Sequence, residues 1–71
     1  MKFTEIQYNQ RVEANPEAVF YRYHTREDAL ASFTRKDANP LFNSDELFMF
    51  EVEGCGWVVQ TTGSFQKAGS N

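Results

Sequence analysis

Cys55, His24 and Asp28 are the residues of this sequence that could be drawn as a nucleophile with its base. A catalytic cysteine works as its thiolate, so it needs a cation or a helix N-terminus close by. Cys55 stands between two glycines, Gly54 and Gly56, in what reads as a tight turn, and nothing in the sequence brings that turn against His24. The bland reading, a surface histidine beside a helix cap and a small residue in a turn, is preferred, and no catalytic residue is expected. One cysteine and one histidine also exclude an intramolecular disulfide and a closed single-chain Cys/His zinc cage. The acids Asp45, Glu46, Glu51 and Glu53 could offer oxygens to a hard cation. However, the run Asn43-Ser44-Asp45-Glu46 lacks the alternating ligands and central glycine of a calcium loop. Carboxylate pairs for glycoside chemistry carry no spacing signature in sequence. Gly54-Cys55-Gly56 lacks the lysine and following helix of a phosphate loop. Neither a metal nor a cofactor is expected.

Recognition chemistry remains. Tyr21, Tyr23, Phe48, Phe50 and Trp57 fall on expected strands, as in sheets that stack nucleic-acid bases. Such platforms are ringed by cations, whereas Asp45, Glu46, Glu51 and Glu53 surround these. The net charge of -3 likewise argues against a protein that must replace phosphate counterions. The aromatics therefore read as core.

The elements that must position these residues fit one small domain, since 71 residues leave no room for a second core. Aromatic residues make up 15% of the chain, enough to close a core without staples, because each buried ring removes roughly 150–250 Å² from water. The best-specified stretch is Ala18 to Asn39. A strand from Ala18 to His24 runs into a helix from about Arg26 to Asp37, with Thr25 as N-cap and Asp28 at the capping-box position. Glu27 and Asp28 open this helix and Arg35 and Lys36 close it, each on the side that the macrodipole favours. Ala29, Leu30 and Phe33 form its apolar stripe, and Asn39-Pro40 ends it. From Thr4 to Ala14 apolar and polar residues alternate, which predicts a first strand, with a helix as the competitor. Asn15-Pro16-Glu17 then makes a hairpin turn. In the second strand Val19, Tyr21 and Tyr23 are placed inward, because burying Arg22 unpaired costs several kcal/mol.

Pro40 to Asp45 is a connection, with Leu41 and Phe42 pinned to the helix end. Leu47 to Glu53 is a third strand with Phe48, Phe50 and Val52 inward, and Trp57 to Thr62 a fourth. The expected fold class is α+β, a ββαββ two-layer sandwich with one helix on a mainly antiparallel four-stranded sheet. The domain spans residues 1–62; residues 63–71 form a flexible C-terminal tail in which Phe65 is the one anchor.

One helix leaves one sheet face uncovered. That face carries Phe20, Arg22, Leu47 and Met49, rimmed by Asp45, Glu46, Glu51 and Glu53, and is the expected partner-binding surface. In size, acidity, aromatic content and lack of a catalytic signature the chain resembles the small inhibitors that phages and mobile elements encode, including anti-CRISPR and polymerase-inhibiting proteins. That resemblance implies a non-enzymatic module occupying a basic site on a larger host or defence protein, and it transfers no residue roles. The alternatives are a small-molecule or nucleotide sensor binding between helix and sheet, and a minimal enzyme using His24 or Cys55. Neither nucleic acid nor membrane is an expected partner, a homodimer is compatible with the surface, and the free thiol without a secretion signal points to the cytoplasm.

Overall fold

The computed structural model of the chain describes residues 2–42 and 44–61. Their order is β1 (Lys2–Phe3), α1 (Glu5–Ala14), β2 (Val19–Tyr23), α2 (Arg26–Ala38), a 3-10 turn (Ser44–Glu46), β3 (Phe48–Val52) and β4 (Gly56–Thr61). The fold is α+β, with two helices and one four-stranded mixed sheet of order β1-β3-β4-β2. The β3–β4 and β4–β2 pairs are antiparallel, while β1 runs parallel to β3. The expected ββαββ order is corrected on one point: the chain enters through a helix, not a full-length strand.

Local chemistry decides that point. Thr4 and Gln7 form a complete capping box: the Gln7 N–H donates to Thr4 Oγ1 at 3.1 Å, and the Thr4 N–H donates to Gln7 Oε1 at 2.9 Å. Gln, Glu, Arg and Ala, which fill the stretch, are better helix than strand formers. The alternation that suggests a strand is not used: Ile6, one of its apolar positions, is 70% exposed. The face that meets the sheet is Tyr8, Arg11 and Val12, at helical spacing. The Asn15 N–H closes α1 on Val12 O, and a turn follows at the expected place, with the Ala18 N–H donating to Asn15 O, but it joins a helix to β2 and does not close the expected hairpin.

Each face of the sheet carries a helix, so the expected uncovered face does not exist. Between α1 and the sheet Tyr8, Phe50, Val52 and Val58 pack together, joined by Phe3, Val12, Phe20 and Cys55. Between α2 and the sheet Ala29, Leu47 and Val59 pack together, joined by Tyr21, Tyr23, Phe33, Met49 and Trp57. Tyr21 and Tyr23 thus face the predicted helix as expected. The orientation of β3 is the reverse of the expected one. Register pairs Tyr21 with Val59 and Val59 with Met49, so Met49 and Leu47 lie beneath α2 while Phe50 and Val52 turn to α1. Phe20 is covered too, meeting Tyr8 edge-on at 5.9 Å between centroids.

In α2 the Thr25 N-cap and the end at Asn39 stand as read, while the expected return bond from the Asp28 side chain is not made. The Asp28 N–H donates to Thr25 Oγ1 at 3.1 Å, and the Asn39 N–H to Lys36 O at 3.1 Å. The expected stripe stands at Ala29 and Phe33 but not at Leu30: Ala29 and Ser32 are fully buried, whereas Leu30 is 40% exposed. Two small side chains facing the sheet bring the helix axis close to it, and Leu30 lies off that line. At the helix end Phe42 folds back, its N–H bonded to Asn39 O, but Leu41 is 42% exposed and is not pinned. The β3–β4 turn needs both glycines, at φ 76° and 94°. A Cβ on Gly56 would stand 2.5 Å from the Tyr23 carbonyl oxygen. The expected tail and its anchor Phe65 lie outside the described residues.

Candidate functional site

Val-Phe-Tyr-Arg-Tyr is a sequence of β-branched and aromatic residues that favours a strand, and in β2 it lies at one edge of the sheet. Its single partner strand among the described residues is β4, so one row of its backbone N–H and C=O groups points outward. Edge strands are ordinarily blunted by brevity, proline, lysine or a bulge. The other edge, β1, is two residues long. By contrast β2 has five residues, contains neither proline nor lysine, and is half-buried at all but Arg22.

Two recesses flank this edge. The larger, about 270 Å³, is lined by Tyr21, Arg35, Lys36, Asn39 and Phe42. It forms because Tyr21 is the β2 residue below the C-terminal half of α2, where the macrodipole favours cations. Lys36 is held in place: its Nζ donates to Ser32 Oγ at 2.7 Å, one helical turn back, and lies 4.2 Å from the Tyr21 ring centroid and 5.9 Å from that of Phe42. Ser32 is fully buried and also accepts from the Tyr23 hydroxyl. Both of its lone pairs are thus used, which is what burying a hydroxyl requires. Asn39 Oδ1 accepts from the Leu41 N–H at 2.9 Å, fixing the amide at the rim.

The smaller recess, about 190 Å³, is lined by Arg22, Tyr23, His24 and Cys55. It brings His24 and Cys55 to one place, which sequence spacing did not. The thiol nevertheless donates to Glu5 Oε2, at 3.5 Å, rather than to the imidazole, so the thiol–base bond of a nucleophilic dyad is not made. Asp28, whose N–H donates to the Thr25 cap, does not line this recess. Among the described residues no three His, Cys, Asp or Glu side chains are grouped to hold a metal ion, and no helix is long and apolar enough to cross a membrane.

The residues expected to bind a partner are not brought together. Phe20 and Arg22 point to the α1 side of β2, while Leu47, 6% exposed, and Met49 lie under α2. Asp45 and Glu46 belong to the turn before β3; Glu51 lies near that strand's far end, and Glu53 follows it. Glu51 stands opposite Lys2, and the Glu53 N–H donates to Phe3 O. Of the eight, Arg22 alone lines either of these two recesses. Sequence reasoning missed Arg35, Lys36, Asn39 and Phe42 as a group. Their available signal was the pair of cations in the last turn of α2, read there only as a match to the dipole.

A further cation serves the core. The Arg11 guanidinium lies 5.2 to 5.5 Å from the ring centroids of Phe3, Phe48 and Phe50 and donates to Oε1 of Gln60, itself 1% exposed. Cation–π contact and a satisfied amide let a charged helix residue face the sheet. No family model, curated protein or solved structure matches the chain.

Proposed function

We propose that this chain is a non-enzymatic protein-binding module, of the kind that serves as a small inhibitor of larger machinery, and that it binds through the open edge of β2. The observation that carries this reading is a five-residue aromatic edge strand, without proline or lysine and with β4 as its one strand partner among the described residues, in a sheet whose two faces are covered. A partner segment added there gains main-chain hydrogen bonds from the outward row and presents alternate side chains to the two recesses. Phe20 and Arg22 keep a role as edge residues, in place of the face on which they were expected.

The test is a display selection of short peptides against the folded protein, with the selected binders mapped by backbone amide NMR. Shifts centred on Val19–Tyr23, with slowed hydrogen exchange at alternate residues, support the reading. Binders that perturb α1 or the β3–β4 turn and leave β2 unchanged overturn it.

A further inference from the structure

We infer that the recess between Tyr21 and the end of α2 reads an acidic side chain on the added strand, so that the partner segment is both extended and acidic. This rests on strand addition at β2, and it names the chemistry of what is added. Tyr21 is the middle residue of β2 and faces α2. A residue opposite it across the open edge would have its Cβ about 4.5–5.5 Å from that of Tyr21, on the same face. Its side chain therefore enters the recess lined by Arg35, Lys36 and Asn39.

The recess is built to receive an anion. An ammonium carries three N–H donors; one of those on Lys36 goes to Ser32, and its other contacts among the described residues are the Tyr21 and Phe42 rings. Holding the ammonium on Ser32 removes much of the rotamer entropy that an exposed lysine loses on pairing. Arg35 is exposed beside it and supplies the planar fork suited to a carboxylate. Tyr21 and Phe42 supply the apolar walls of the recess. All this stands in a chain of net charge -3.

The same charges argue against the other occupants. A second copy pairing β2 with β2 about a two-fold axis at Tyr21 would draw Arg35 and Lys36 of both copies towards one another, a like-charge juxtaposition that disfavours the pairing. Residues 62–71 of this chain contain Lys67 and neither Asp nor Glu, so they do not supply the acid.

The experiment titrates the full chain with two blocked peptides, Val-Thr-Glu-Thr-Val and Val-Thr-Gln-Thr-Val, followed by amide NMR and hydrogen exchange. Both should protect alternate amides of 19–23, with the glutamate peptide binding about tenfold more tightly at low salt, a difference of about 1.4 kcal/mol. Added salt should shrink the preference, and Arg35→Gln, at an exposed position, should reduce it several-fold in a protein whose spectrum otherwise stays native. Equal binding of both peptides at β2 would overturn the acidic preference and leave strand addition standing. Binding of the glutamate peptide in the recess without protection of 19–23 would show an anion site without strand addition and overturn both. A free chain already dimeric through β2, or no binding by either peptide, would remove the edge reading and this inference with it.

Discussion

At Gly56 a single hydrogen atom in place of a methyl group decides whether the β3–β4 turn can close against β2. The added Cβ would stand 2.5 Å from a backbone oxygen, at φ 94°, and a backbone oxygen cannot rotate away as a side chain can. Gly54 shares the positive φ, at 76°, but has open space around it. Gly54→Ala should therefore cost about 1 kcal/mol, the left-handed penalty alone, whereas Gly56→Ala should cost more than about 2 kcal/mol because steric displacement is added. Urea unfolding of the two variants separates the causes; equal losses would mean that the close approach to Tyr23 is relieved cheaply. Thr25 is the companion case at a helix start. Thr25→Ala should lose roughly 0.5–2 kcal/mol with the acceptor for the Asp28 N–H, and Thr25→Ser almost nothing. Equal damage in the serine variant would assign the effect to the methyl group.

The helices show how little of an element's packing follows from its apolar residues alone. In α2 the buried positions are Ala29 and Ser32, not Leu30. Leu30→Ala should accordingly cost under about 1 kcal/mol, well short of the 2–5 kcal/mol of a truncated core leucine. Ala29→Leu should cost roughly 1–3 kcal/mol by overpacking the contact with Leu47 and Val59. Thermal unfolding of this pair reports which side of α2 meets the sheet, and the reverse ranking would rotate the helix. The caps of α2 and the strand Val19–Tyr23 were legible in the sequence because they depend on neighbours within a few residues. The Thr4–Gln7 capping box of α1 is equally local, although the period-two alternation of the same stretch points to a strand.

Across the whole molecule the second helix changes what the surface is for. With α1 on one face and α2 on the other, what the described residues leave uncovered is the edge at β2, and on the proposed reading the cations Arg35 and Lys36 beside it count for more than Asp45, Glu46, Glu51 and Glu53. Hydrogen exchange should reflect this order. Amides of β4, paired on both sides, should exchange most slowly, and the outward amides of β2 at least about tenfold faster than its inward ones in the unliganded chain. Uniform protection along β2 would mean that something already covers the edge. Of the candidate site, Tyr21 and Arg22 were legible as strand residues and Arg35 and Lys36 as helix-end cations. Their meeting was not, because it depends on the angle at which α2 crosses β2.

What the sequence determined by itself is local: the α+β class, the turn at Pro16, both caps of α2 and the two-glycine hairpin, each specified by residues adjacent in the chain. Only the tertiary structure decided which way β3 faces. Its two sides, Phe48-Phe50-Val52 and Leu47-Met49, are both apolar, so alternation assigns neither to a particular helix. The choice is made by register with β4, which aligns Met49 with Val59 and Tyr21, and by α1, whose Tyr8 and Arg11 take the Phe50 side. A strand that is apolar on both sides requires cover on both sides, and the partner that supplies the second cover is far away in sequence.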